Sequence, residues 1–187
     1  MKKLIATAAL LAATSVPAFS ADYVIDKSHT MVFFSVSHLG FSNSTGQFTD
    51  FDGKFSFDEK NPEKSKVEVT IQTDSIDLAN NDKWNKHMKS DDFFKVEKYP
   101  TAVFKSSSVK KTGEKTMEVA GELTLLGKTK PVTLDVTFNK AGEVRGNQVA
   151  GFSATAEFDR TEFGLKTYAP AISETVKLRL EVEGAAK

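Results

Sequence analysis

A chain of 187 residues, with 25 Lys and Arg against 25 Asp and Glu, has room for one domain or two small ones and carries no net charge. Such a balance offers no basic field for nucleic acid or for an anionic membrane surface. The absence of cysteine removes disulfides, thiol catalysis, thiolate metal sites and lipid attachment through a thiol.

Residues 1–20 read as a secretory signal peptide. Met1-Lys2-Lys3 is basic, 4–16 is an apolar, alanine-rich run, and Ala18-Phe19-Ser20 sets small residues at the −3 and −1 positions of a cleavage site after Ser20. The apolar run is shorter than the roughly 20 residues a spanning helix needs. The mature chain, one domain over 21–187, would keep 23 basic and 25 acidic residues and every phenylalanine except Phe19, fourteen of fifteen. A periplasmic protein of a bacterial envelope, held together by its core, is the expectation.

Alternation of apolar and polar residues then predicts eight strands, near 31–38, 48–57, 66–73, 102–108, 117–126, 131–140, 150–158 and 175–183. Phe34, Val36 and His38 share one face of the first, and Phe51, Phe55 and Phe57 share one face of the second. Turn signals at Asn61-Pro62, Lys111-Thr112-Gly113, Gly127-Lys128 and Ala141-Gly142 make the connections short and the neighbours antiparallel. One apolar face per strand fits either a two-sheet sandwich or a closed up-and-down barrel, and periodicity does not choose between them. Charged residues on the other face exclude a lipid-facing membrane barrel. Gly46, Gly53, Gly121 and Gly151, in or beside strands, mark bends or leave room.

The pattern breaks between 75 and 94. Trp84, His87 and Met88 fall at i, i+3 and i+4, so a short helix is expected, with Asn80, Asn81 or Asp82 at its start. Phe93-Phe94 follow, and Pro100 holds Tyr99 extended to restart a strand.

Signals of catalysis are weak. His29, His38 and His87 could in principle hold zinc together, but His29 and His38 lie an odd number of residues apart and, without a bulge, would leave a regular strand on opposite faces, so structural or hydrogen-bonding roles are the expectation. No Gly-x-Ser-x-Gly elbow, phosphate loop or dinucleotide fingerprint occurs. Asp91-Asp92, being adjacent, diverge rather than pair. The apolar strand faces remain, to be filled either as an ordinary core or by a ligand.

The motifs YVIDKSHT (23–30), FSVSHLGFS (34–42), GQFTDFDGKFSFDEKNP (46–62), HMKSDDFFKVEKYPTAVFKSSSVK (87–110), GELTLLGKTKPVTL (121–134), GFSATAEFDRTEFG (151–164) and VKLRLEVEG (176–184) resemble, in order and spacing, the YceI-like proteins. These are exported lipocalin-like barrels associated with polyisoprenoids and other long-chain lipids; His87-Met88 stands where that pattern leads one to expect His-Leu. The resemblance implies an all-β, eight-stranded antiparallel barrel with a short helical segment over one end. It implies a long-chain lipid or isoprenoid as ligand, with no cofactor, no metal and no catalytic residue. The candidate ligand contacts are Phe34, Val36, His38, Phe48, Phe51, Phe55, Ile71, Trp84, His87, Met88, Phe93, Phe94, Phe104, Leu123, Leu125, Phe152, Phe163 and Leu178. Residues 75–94 would cover the mouth, with Trp84, Met88, Phe93 and Phe94 inward and Lys86, Lys89, Asp91 and Asp92 in water. His38, His87, Asn80, Asn81 and Asp82 would bond a headgroup or tie the cover down. The partner is an amphiphilic lipid, with no nucleic acid, transient membrane contact at most, and a homodimer left open. A lipid hydrolase and a ligand-free interaction module are the alternatives.

Overall fold

The computed structural model describes residues 21–186; the signal-peptide reading of residues 1–20 lies outside them. Eleven strand segments and one α-helix follow in chain order: β1 Ala21–Ile25, β2 Met31–His38, β3 Ser42–Phe48, β4 Phe51–Phe57, β5 Lys66–Gln72, β6 Ile76–Asp77, α1 Asp82–Lys89, β7 Thr101–Lys111, β8 Thr116–Leu125, β9 Lys128–Val144, β10 Asn147–Asp159 and β11 Thr175–Ala186.

Six of these segments are halves of three bent strands. β1 and β2 both pair with β11, through Ile25↔Gly184 and Met31↔Glu181. β3 faces β2 while β4 faces β1, and β6 lies beside β3 while β5 lies beside β4. Read as whole strands, the order β1/β2, β3/β4, β5/β6, β7, β8, β9, β10, β11 returns to its start. The result is a closed antiparallel barrel of eight strands in up-and-down sequence. Closure leaves no long sheet edge unpaired.

The bends have local causes. Between β1 and β2 the chain loops out over 26–30, and Thr30 Oγ1 donates to Glu183 O (3.2 Å) and accepts from Glu183 N (3.1 Å) in place of ladder bonds. Thr49-Asp50 breaks the second strand. The strand expected over 48–57 is therefore Phe51–Phe57, with a separate partner at Ser42–Phe48. That partner reads SNSTGQF, which has no apolar alternation; pairing to β2, not propensity, makes it a strand. β9 is also longer than its apolar stretch at 131–140.

Inside, the aromatic side chains divide between the two ends. Tyr23, Phe55, Phe57, Phe138 and Phe152 form one packed group: Tyr23 stacks on Phe55 at 4.8 Å, and Phe152 meets Phe55 and Phe57 edge-on at 5.4 and 5.0 Å. Phe138 closes the group against Phe57 and Phe152. This cluster floors the end where β1 and β11 meet. The opposite end, where β2, β6, β7 and β11 begin or finish, carries α1 and the loop 160–174.

Candidate functional site

A cavity of about 780 Å³ occupies the barrel between the aromatic floor and α1. Every one of the eight strands supplies inward side chains to it. Phe34 and Val36 come from β2, Phe48 from β3, Phe51 and Phe55 from β4, Val67, Val69 and Ile71 from β5. Phe104, Leu123, Leu134, Phe152 and Leu178 complete the circuit. Strand alternation explains most of this wall: apart from β3, which contributes Ser42, Ser44 and Phe48, the strands turn their apolar sets inward and, Lys66 excepted, their charged sets to water. Among the described residues no acidic side chain lines the cavity, and apart from the histidines the charged members are Lys66 and Arg160.

Glycine keeps the bore open at two points. A Cβ on Gly46 would collide with the Phe34 ring, and one on Gly121 would come within 2.5 Å of the Phe104 ring. Both rings therefore lie against a bare backbone.

The mouth is built by α1, the segment after it, and the loop 160–174. Asn81 caps α1, its side chain accepting from Trp84 N at 3.1 Å. Trp84, His87 and Met88 then turn toward the cavity, although no residue of α1 is buried. Phe94 reaches Phe48 edge-on at 5.7 Å, and His87 meets Phe93 at 5.1 Å and Tyr168 at 6.0 Å. His87 Nε2 sits 3.1 Å from Asp92.

Polar bonds hold this cover in place. Asp77 accepts from Asn80 N (2.9 Å), Asn85 Nδ2 (3.0 Å) and Gln47 Nε2 (3.3 Å), and Leu78 N donates to Asn85 Oδ1 (2.7 Å). These donors, Asn85 first, hold the Asp77 carboxyl below the usual carboxylate range. Thr73, fully buried just after β5, donates to Tyr99 O at 2.7 Å and pins the segment that leads from the cover into β7 to the end of β5. Thr167 Oγ1 donates to Asp92 O at 2.6 Å, joining cover to loop.

Arg160 organises that loop. It is buried, and its guanidinium donates to four carbonyls, Ser173 O, Ile172 O, Thr167 O and Leu165 O. Burial pulls its pKa down against the nearby charges of Asp159 and Glu174. A cation satisfied by four carbonyl dipoles fixes the segment 164–173, which contains no helix or strand and only the single bridge at Ile172.

Seventeen of the eighteen sequence candidates lie on the cavity surface: Phe34, Val36, His38, Phe48, Phe51, Phe55, Ile71, Trp84, His87, Met88, Phe93, Phe94, Phe104, Leu123, Leu125, Phe152 and Leu178. Phe163 does not. The chain leaves β10 in the turn Arg160–Phe163, so Phe163 no longer follows strand alternation; its ring, buried, packs edge-on against Phe158 at 5.4 Å. Of the headgroup candidates, His38 and His87 are on the rim, while Asn81 caps the helix and Asn80 N bonds Asp77. Sequence reading missed Arg160, Leu165, Tyr168, Ala171 and Ile172, all on the cavity from a loop without periodicity. It also missed Ser65, whose hydroxyl is buried in the cavity's deep half without a partner among the described residues. The parity of Ser65 with Val67, Val69 and Ile71 was the available signal.

The histidines do not converge. His29 Nδ1 bonds Asp26 at 2.7 Å, and with Glu183 these form a carboxylate–imidazole group whose ligand atoms lie within 4.8 Å of one another at the β1–β2 bend. That bond and the two acidic charges raise the His29 pKa. Among the described residues no serine hydroxyl bonds the imidazole of His29 or His87; Ser90 Oγ donates to the His87 backbone carbonyl (2.7 Å).

The model of the YceI-like domain matches residues 23–184. The chain belongs to the YceI-like domain family. It is 45% identical to a UPF0312 protein of Pseudomonas savastanoi pv. phaseolicola (strain 1448A / Race 6) over 192 residues, covering 100% of this chain and 99% of the relative. The crystal structure of Campylobacter jejuni YCEI protein superposes with a TM-score of 0.74 at 27% identity, over 98% of this chain and 99% of that one. A polyisoprenoid binding domain from Saccharophagus degradans shares the fold, with a TM-score of 0.66 at 15% identity, over 90% and 100% of the two chains. No described helix is long and apolar enough to cross a membrane.

Proposed function

We propose that this chain is an exported carrier that sequesters one long-chain amphiphile, tail inward, in the barrel. The ligand class is an isoprenoid, a quinone tail, a fatty acid or a fatty amide. The carrying observation is the apolar cavity of about 780 Å³, which lies in the upper part of the size range of small-molecule sites. The family membership and the polyisoprenoid binding domain among its structural neighbours support the same class.

Physical scale favours a long tail. Each buried methylene contributes about 0.8 kcal/mol, so a five-carbon unit contributes roughly 4 kcal/mol, against an association cost of about 4–15 kcal/mol. Several units must be enclosed before binding is tight. Selection among tails is weak, because apolar contact is non-directional. Discrimination falls to the rim, where His38 and His87 stand, and to the Ser65 hydroxyl deep inside. The periplasm is the compartment that fits the signal-peptide reading. No bond is broken in this function.

The test is native mass spectrometry of protein purified from envelope extracts without detergent, followed by organic extraction. One lipid per chain is the expected result. Protein that emerges empty and takes up neither added polyprenols nor fatty amides would overturn the reading.

A further inference from the structure

A carrier of this kind has to meet the bilayer that holds its cargo, and the mouth is not symmetric. One side of it, α1 and the residues after it, exposes charges of both signs: Lys83 and Lys86, with Asp82, Asp91 and Asp92. The other side is a lip made of two segments, 38–49 and 167–173, neither of which contains a single Asp, Glu, Lys or Arg, in a chain where 27% of residues are charged. The two segments are one unit. Leu39 N donates to Ala171 O (2.8 Å), Ser173 N donates to Ser37 O (2.9 Å), and His38 bridges to Ile172. Arg160 fixes the second segment from below through Thr167, Ile172 and Ser173.

This lip exposes large apolar side chains. Phe41 is 89% exposed, Tyr168 59% and Leu39 58%, and Trp84 stands across the mouth at 51%. Phe41 has no role in the barrel's own packing. Leu39 and Gly40 both take positive φ, 52° and 77°, to make the tight turn that holds Phe41 out.

The geometry points to the mouth as a membrane-docking end: the uncharged lip, led by Phe41 and Leu39, enters a zwitterionic bilayer surface, and the cavity opens into the lipid. The charge pattern complements such a surface. The apolar tip of the uncharged edge, Leu39 and Phe41, goes below the headgroups, its hydroxyl and amide side chains stay at headgroup level, and Lys83, Lys86, Asp82, Asp91 and Asp92 face headgroups that carry both signs. Aromatic residues with polar tips, Trp84 and Tyr168, sit at the depth such residues favour. The cavity is continuous with this edge, since His38, Ser42, Trp84, Tyr168 and Ile172 all line it. A docked carrier passes its ligand's tail from bilayer to barrel without exposing it to water. This inference rests on the carrier reading above.

The experiment is flotation of the mature chain with phosphatidylcholine vesicles. Because Trp84 is the chain's one tryptophan, its emission, with quenching by brominated phosphatidylcholine, reports which end is inserted. The wild-type protein should float, with Trp84 blue-shifted and quenched. Phe41→Asp should weaken vesicle affinity by about tenfold or more, as expected for a lost buried aromatic ring. Val144→Asp, which alters another exposed apolar side chain on the β9–β10 hairpin at the far end, should change nothing. Loading with a fatty amide from dilute detergent, read by native mass spectrometry, should be equal in all three proteins. Wild-type protein that loads but neither floats nor shows Trp84 quenching would overturn the inference and leave the carrier reading standing. Equal weakening by both variants, or a dimer lost in Phe41→Asp without vesicle binding, would overturn it as well. Failure of every protein to load would count against the carrier reading itself.

Discussion

The two ends of the barrel are built from the same kind of residue and do opposite things. At the floor, Tyr23, Phe55, Phe57, Phe138 and Phe152 satisfy their ring faces against one another at 4.8–5.6 Å. Toward the mouth, Phe34, Phe48 and Phe94 contact one another on one side and border empty volume on the other. The floor is a packed core whose upper rings, Phe55, Phe57 and Phe152, also border the cavity; the mouth is surface turned inward. Phenylalanine content alone therefore does not separate a filled interior from a ligand cavity. What separates them is how many rings the strands bring together: Phe152 meets Phe55, Phe57 and Phe138, whereas among the described residues Phe34 and Phe94 each meet only the ring of Phe48.

The largest expected effect lies at the floor. Phe57→Ala should cost about 3–5 kcal/mol in urea unfolding, whereas Phe34→Ala should cost about half as much, because its ring already lacks partners on one side. Lipid retention should show the reverse ranking among protein that folds. Equal stability losses at the two sites would erase the distinction between the ends.

Arg160→Met comes next. It orphans four carbonyls that the guanidinium satisfies, and roughly 3 kcal/mol of local stability should go with them. Hydrogen exchange should rise in 164–173 before it rises in β8–β10. Uniform loss of protection would mean that the loop is not a separate unit. Gly46→Ala should cost about 1–3 kcal/mol by pushing the Phe34 ring off the wall, with a matching fall in bound lipid. Unaltered loading would show that the ring has another place to go.

The smallest effect concerns acid. Asp77 titrates below the usual carboxylate range when folded, so its contribution is present above about pH 4 and is lost as pH falls through the lower, folded-state value. The cover, tied by Asp77 and Asn85, should loosen in that window while the floor, which has no titrating member near it in pH, stays packed. Faster ligand release at acid pH with unchanged near-ultraviolet signal from the floor tyrosine would be the readout. Release independent of pH would remove Asp77 from the hinge.

Much of this was legible in the residues, for identifiable reasons. Period-two alternation in VKLRLEVE and KVEVTIQT survives into the wall because each inward position meets the cavity, and each outward one meets water. The helix start was legible to within Asn80, Asn81 and Asp82 because capping is local, and the structure selects Asn81. The strand Ser42–Phe48 was not, because its partner dictates it. The loop around Arg160 was not, because four carbonyl bonds to one side chain leave no periodic trace. Phe163 was a candidate ligand contact, and the turn Arg160–Phe163 takes its ring off the cavity wall and against Phe158.

The account rests on a lipid tail lying in the bore down to the floor. The direct measurement is isotope-edited nuclear Overhauser spectroscopy of the protein loaded with a fatty amide or acid labelled at its terminal methyl. That methyl should contact Val109, Met117 and Phe152, deep in the cavity. Contacts confined to Trp84 and Tyr168 at the rim, with none deeper, would contradict it.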